Sequence, residues 1–594
     1  MNLVNLTING IPISVESETT ILEAAKKLNI KVPSLCLMNM DEISMHNKCA
    51  SCRVCMVDTK RGLVPSCATN VREGLEVQTN TPRAIKARKA VVELLLSDHP
   101  TDCLVCERNG NCELQEIAQD LGIREIKYKG VQTNLGIDSS SKSIVKNHDK
   151  CILCRRCETM CNEIQQVGVL SGVNRGFETM VSTFFNDPMA STECTFCGQC
   201  IAVCPTGALT EVNNISKVWD ALDKKNKTTV VQVAPAVRVA IGEEFGLEPG
   251  TISTGKMVAA LRLLGFKYVF DTNFAADLTI MEEATEFISR LKSGENLPIL
   301  TSCCPAWVGF IEHTYPELLN LTSTCKSPQG MFGSIAKNYF ASKVLNIKPS
   351  ELCVVSIMPC IAKKYECSRE ELSNEGILDN DVVITTRELA KMIKEAGIDF
   401  LSLKDEDFDN PLGKSTGAAD IFGATGGVLE AALRTSYEII TGETLETVEF
   451  NAVRGFEGIK EATIDVGGTL VNVCVASSLG NARKVMDEVE ARNSKYHIIE
   501  VMACPGGCVA GGGQPYHKGE YEIVKKRAAG LYNIDSNKSL RKSHENPEII
   551  DLYKNFLGEP GGHDAHNLLH THYFDRSNVY DNNECKCNAE LVTE

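Results

Sequence analysis

Twenty-seven cysteines in 594 residues, most of them in short tandem runs, constrain this chain more than any other feature. The runs crowd the first third, where small domains bury too little apolar surface to be stable without disulfides or metal. The amino-terminal Met-Asn-Leu-Val-Asn-Leu-Thr carries no basic region, apolar stretch or small-residue cleavage site. A cytoplasmic protein is therefore expected, with reduced thiols whose clusters bind metal. No apolar run of about 18 residues occurs, so no membrane span is expected. The formal charge of −16, from 77 acidic and 61 basic residues, argues against nucleic acid, whose binding rests on basic contacts to phosphate. The length suggests about three to five domains.

Residues 1–80 read strand, strand, helix (Leu3 to Ile8, Pro12 to Val15, then Thr20 to Leu28), the order of a small β-grasp domain. Cys36, Cys52, Cys55 and Cys67 follow, and one distant cysteine, a C-x-x-C pair and a fourth cysteine resemble the [2Fe–2S] domain of complex I and hydrogenase subunits. Cys49 and Cys52 form an equally good pair; Cys52/Cys55 is preferred because Cys52-Arg-Val-Cys55 matches that family's C-R-x-C before a strand.

In residues 81–140, a helix over Ala84 to Ser97 leads into His99, Cys103, Cys106 and Cys112. Cys₃His zinc fits this spacing, but the setting between iron–sulfur modules favours a His-ligated [4Fe–4S] cluster. A neutral imidazole in place of a thiolate should raise its potential. In residues 141–225, Cys151, Cys154, Cys157 and Cys161 recur as Cys194, Cys197, Cys200 and Cys204. This is the two-cluster ferredoxin pattern, in which the fourth cysteine of each run serves the other cluster. The expected sets are Cys151, Cys154, Cys157, Cys204 and Cys194, Cys197, Cys200, Cys161.

From about residue 226 cysteines become sparse and α/β patterns take over, to about residue 573, before a tail over 574–594. Strands are expected at Thr228 to Ala234, Ile299 to Thr301 and Cys353 to Ile357, and helices at Ala259 to Leu264, Glu282 to Leu291 and Val428 to Ile440. Motifs at strand ends suit an active site at the carboxyl edge of an α/β sheet. The chain is thus expected to be multidomain α/β: β-grasp and ferredoxin-like α+β modules before a large catalytic domain.

Three segments carry the chemistry: Thr301-Ser-Cys-Cys-Pro-Ala-Trp307, Met358-Pro-Cys-Ile-Ala-Lys-Lys-Tyr-Glu366, and Glu500-Val-Met-Ala-Cys-Pro-Gly-Gly-Cys-Val-Ala-Gly-Gly-Gly-Gln-Pro515. They resemble the three signature motifs of [FeFe]-hydrogenases, and the resemblance covers the chain apart from its last twenty or so residues. It implies reversible reduction of protons to H₂, with accessory clusters relaying electrons. Cys304, Cys360, Cys504 and Cys508 would hold a [4Fe–4S] cluster, Cys508 also bridging to a two-iron subcluster with CO, cyanide and a bridging dithiolate amine. Cys303 would pass protons to that amine, and Lys363 would donate to a cyanide. Ala234, Pro235, Gln329, Met358, Phe422, Gly423 and Met502 would line the pocket.

The resemblance also implies a proton relay: Arg290, Glu286, Ser323, Glu283, then Cys303. Glu283, Glu286 and Arg290 share one helix face, which on its own reads as a solvated charged face. Implied partners are ferredoxin or flavodoxin, maturation proteins and, for the alternative of a multimeric NAD(P)-linked or electron-bifurcating enzyme, flavin subunits. Pro505, where many ferredoxin-linked members carry histidine, looks like the multimeric kind; Ala306 replaces a common glycine. A non-catalytic assembly or relay protein of the same fold is the rival, but such relatives generally lack the full ligand set or the relay cysteine, whereas this chain has both.

Gly250 to Lys256 has phosphate-loop spacing but Met257 where the magnesium-binding hydroxyl belongs, and Phe422 to Gly427 lacks the full G-x-G-x-x-G pattern, so no nucleotide site is expected. Cys325, Cys353, Cys367 and Cys474 read as buried packing residues, the carboxyl-terminal histidines as structural contacts, and Cys585-Lys-Cys587 as part of an unstructured tail.

Overall fold

The computed structural model describes residues 2–45, 47 and 49–578; the tail pair Cys585 and Cys587 lies outside the described residues. Strands Leu3–Ile8 and Ile11–Glu16 form a hairpin whose turn, Asn9 and Gly10, takes positive φ at both positions, the geometry that matches strand twist. The sheet runs Ile11–Glu16, Leu3–Ile8, Leu75–Gln78, Met56–Thr59, Gly62–Pro65. Helix Ile21–Lys27 packs on it behind a capping box of Thr20 and Glu23. Helix Pro82–Asp98, capped by Thr81, then delivers His99 at its carboxyl end.

Two four-stranded sheets build the large domain. One, all parallel, runs Tyr268–Asp271, Thr228–Val233, Leu352–Met358, Val382–Thr385. The other runs Ile299–Leu300, Ile498–Met502, Thr469–Ser477, Ile459–Val466, parallel except for its last pair. The motif loops leave the carboxyl ends of Thr228–Val233, Leu352–Met358, Ile299–Leu300 and Ile498–Met502, so four strands from two sheets aim at one place.

The helix expected from Glu282 begins ten residues earlier, spanning Thr272–Ser293. Its first half is buried on all sides: Asn273 donates to Asp420, and Asp277 accepts from Thr416 and Asn546. Polar residues paired across the core hide the apolar periodicity that marks an amphipathic helix. Among the described residues no helix is long and apolar enough to cross a membrane, and the cysteines are free of disulfides.

Candidate active site and metal centres

A cavity of about 80 Å³ lies where the strand ends meet. Cys303, Cys304, Cys360, Cys504 and Cys508 line it together with Lys363 and the seven expected pocket residues, Ala234, Pro235, Gln329, Met358, Phe422, Gly423 and Met502. Gly507, at φ 100°, lets its loop lie against Gly423 to Thr425; a Cβ there would meet the Thr425 nitrogen at 2.6 Å. Backbone amides of Ala503, Ala306 and Trp307 stabilise negative charge on Cys304, and that of Lys363 does so on Cys360. Burial otherwise pushes these thiols upward, so the wall offers sulfur ligands with amide donors already aimed at them, a set that suits a buried iron–sulfur cluster.

Lys363 donates to Glu366 Oε2 at 2.9 Å and to the Cys303 carbonyl at 3.2 Å. Burial opposes its charge, but the Glu366 carboxylate more than offsets this and holds the ammonium above its ordinary value. Glu366 also accepts from Gln329 at 2.9 Å. Sequence reasoning left Glu366 without a role, although its i, i+3 spacing from Lys363 was a signal. Glu500 was missed as well: it accepts from the Gly426 and Leu429 amides at 2.6 and 2.8 Å, tying strand Ile498–Met502 to the start of helix Gly427–Thr441.

Behind Cys303 the relay candidates are contiguous at their outer end. Arg290 contacts Glu286 at 2.5 Å, and Ser323 Oγ donates to Glu286 Oε2 at 2.8 Å. Arg290 is mostly buried, its side chain 12 % exposed, rather than on the open surface. Glu283 is fully enclosed with Oε2 unpartnered. Burial, then the charges of Glu286 and Glu500, push its carboxyl up to about 8. Cys325 is buried and reaches Glu286 Oε2 at 3.9 Å, while Cys367 is only half-buried and bonds to the Asn380 carbonyl. The carboxyl-terminal histidines make local contacts: His570 bridges Thr324 and Glu282, and His544 meets Glu438.

The Cys36 thiol lies within hydrogen-bond reach of those of Cys52 and Cys67, and the Cys67 thiol within reach of that of Cys55. Cys49 stands beside them, its thiol on the Cys67 carbonyl at 3.3 Å. His99 Nδ1 lies 2.8 Å from the Pro100 carbonyl, and its buried Nε2 has no partner. A ring oriented by a carbonyl and offering its other nitrogen is the usual state of a metal-ligating histidine, so these residues fit a bound cluster. Burial raises the Cys157 thiol, followed by the charges of Cys154, Cys151 and Cys204; for Cys200 the first neighbours are Cys197 and Cys194. Cys36, Cys52, Cys112 and Cys154 meet in one apolar cluster, which joins three modules.

The last module meets the catalytic loop backbone to backbone. A Cβ on Gly512 would lie 2.6 Å from the Gly198 carbonyl, between Cys197 and Cys200 on one side and the Cys508 loop on the other. Gly512→Ala is expected to destabilise the chain by about 1–3 kcal/mol through overpacking, read as a lower denaturant midpoint at unchanged iron content.

Five family models match in sequence: 2Fe-2S iron–sulfur cluster binding domain (1–82), NADH-ubiquinone oxidoreductase-G iron–sulfur binding region (88–127), NADH-quinone oxidoreductase subunit 3 ferredoxin-like domain (141–210), the C-terminal domain of the iron only hydrogenase large subunit (227–512) and iron hydrogenase small subunit (521–576). The NADP-reducing hydrogenase subunit HndD of Solidesulfovibrio fructosivorans is 56% identical over 98% of this chain and 100% of its own. Iron hydrogenase 1 of Clostridium pasteurianum is 40% identical over 96% of this chain and 99% of its own. The solved [FeFe]-hydrogenase of Chlamydomonas reinhardtii aligns with a TM-score of 0.56 at 42% identity, covering 61% of this chain and 99% of its own. The cofactors are accordingly a [2Fe–2S] cluster, accessory [4Fe–4S] clusters and the six-iron H-cluster. Likeness along the whole length, centred on a cavity walled by Cys303 and four further cysteines, makes this chain a member of the [FeFe]-hydrogenase family.

Proposed function

We propose that this hydrogenase is the catalytic subunit of an NADP-linked assembly, exchanging electrons with a separate flavin- and nicotinamide-binding subunit. Cys304, Cys360, Cys504 and Cys508 would hold the H-cluster, which would supply the metal for combining protons and electrons into H₂. The observation that carries this assignment is the convergence of these four thiols, from three separate loops, on one cavity with Cys303. Lys363, held charged by Glu366, offers a fixed donor to an anionic ligand in that cavity. Cys303 exchanges protons with the reacting centre, Glu283 is the enclosed acid behind it, and the hydrogen-bonded Ser323, Glu286 and Arg290 form the outer part of the path. The Cys36 and His99 modules and the Cys151 and Cys194 sets would hold the clusters that supply electron relay, and Gly198 and Gly512 bring the Cys194 set against the catalytic loop.

The full-length likeness to an NADP-reducing hydrogenase subunit supports the nicotinamide partner, as does Pro505, which follows Cys504 and borders a second cavity with Phe456 and Ser477. A separate carrier is further supported because neither the phosphate-loop-like stretch ending at Met257 nor the glycine run Phe422 to Gly427 completes its nucleotide-binding motif. Clustered cysteines that serve as metal ligands rather than disulfides suit a cytoplasmic enzyme. The test compares reduced viologen, ferredoxin and NADPH as donors to the purified, matured chain. H₂ from viologen alone, with NADPH effective only after a flavin subunit is added, is the expected result. Rapid turnover from ferredoxin with the chain alone would instead make it a self-sufficient ferredoxin hydrogenase.

A further inference from the structure

Arg108 is fully buried, yet its Nε, Nη1 and Nη2 all lack a hydrogen-bond partner, and no carboxylate pairs with it among the described residues. Its guanidinium lies over Tyr516, 3.4 Å from the ring centroid, and Arg387 also covers that ring at 4.1 Å. Arg387 is neutralised by Glu211 and accepted by the Gly512 carbonyl. Arg108 has nothing comparable, and a buried cation without a counter-charge is strongly unfavourable.

The stem of Arg108 runs past a candidate cluster ligand. A Cβ on Gly207 would lie 2.7 Å from Cys106 Sγ, 3.4 Å from Lys150 Cδ and 3.7 Å from Arg108 Cγ, so the three side chains converge on one point. Lys150 is largely buried as well, and its Nζ sits 3.1 Å from Asp102. The unpartnered His99 Nε2 belongs to the same module. An orphaned imidazole nitrogen and an orphaned guanidinium thus belong to the module that carries Cys103, Cys106 and Cys112, with the Cys106 thiol beside the Arg108 stem. An anionic group ligated by all four residues would satisfy both. With a neutral imidazole and three thiolates, an oxidised [4Fe–4S] core leaves one net negative charge, and one-electron reduction leaves two.

We propose that Arg108 is the buried counter-charge of the cluster held by His99, Cys103, Cys106 and Cys112 and, together with Lys150, holds that cluster's reduction potential high. The inference rests on the ligand assignment given above. Attraction to a buried cation is about twice as large for the reduced cluster as for the oxidised one, and in a low-dielectric site it is little screened by salt. Net charge around the sulfurs is an established lever on iron–sulfur potentials. Arginine suits the position because it is always charged, is weakly hydrated and stacks on an aromatic face.

The test is an anaerobic redox titration of the full, cluster-loaded chain followed by electron paramagnetic resonance. Arg108→Met is expected to disfavour reduction of one cluster at least tenfold, 59 mV for a one-electron couple, and Arg108→Lys to recover most of the shift. Asp102→Asn, which leaves the Lys150 charge uncompensated, is expected to move the same cluster upward. Opposite shifts from two neighbouring substitutions mark an electrostatic role that loss of packing does not mimic. Should Arg108→Met fail to fold, Lys150→Met replaces it, with a downward shift expected. Unchanged potentials at full iron content, or downward shifts in both Arg108→Met and Asp102→Asn, would overturn the proposal. A Cys106→Ala chain that keeps all its iron and every resonance would instead overturn the ligand assignment itself.

Discussion

Cys303→Ala is expected to lower H₂ turnover by about 10²–10⁴-fold, the usual worth of a positioned acid–base group, while iron content stays unchanged. Cys303 lines the cavity beside Cys304, and the proposed cluster ligands are Cys304, Cys360, Cys504 and Cys508, which leave it free. Burial, then the charges of Glu283 and Cys304, hold the Cys303 thiol well above its ordinary range, so it stays protonated and able to donate. Alanine removes that proton and keeps the fold. Turnover with reduced viologen, measured beside iron per chain and the infrared bands of the diatomic ligands, separates a lost proton path from a lost cluster. Normal turnover in Cys303→Ala would remove the thiol from the mechanism.

Glu283→Gln is expected to cost a similar 10²–10⁴-fold, because an amide keeps the shape of the acid and cannot pass a proton on. Its carboxyl moves from an ordinary 4.5 up to about 8, through burial first and then the neighbouring charges of Glu286 and Glu500. A folded-state value above the unfolded one means that the folded chain holds this proton more tightly. The resulting stability is fully present below about 4.5 and is lost as pH rises through about 8. Denaturation followed from pH 5 to 9 should therefore show a decline in the parent chain that Glu283→Gln lacks. Matching pH profiles would mean that Glu283 carries no such proton.

The chemistry of this chain was unusually legible because metal ligands come as fixed residue types at fixed spacings. The two C-x-x-C-x-x-C-x-x-x-C runs, the His99 group and the three catalytic motifs all carry their signal within a few residues. What the sequence concealed lies between segments far apart in the chain. Arg108 meets Tyr516, Gly198 meets Gly512, and Glu500 meets the start of helix Gly427–Thr441, none with a local pattern. The first half of helix Thr272–Ser293 was hidden for a related reason: Asn273 and Asp277 interrupt its apolar pattern, and their partners Asp420 and Thr416 lie far away in the chain. Even in the relay, spacing put Glu283, Glu286 and Arg290 on one face, but only the fold shows that this face is enclosed.

The most direct measurement is anaerobic H₂ evolution by the purified, matured chain with reduced viologen, in protein whose infrared spectrum shows carbonyl and cyanide bands. Viologen delivers electrons without any partner subunit and so tests the catalytic centre alone. Rapid H₂ evolution is the predicted result. A chain that displays those bands and evolves no H₂ would contradict the assignment of Cys303, Cys304, Cys360, Cys504 and Cys508 as the working active site.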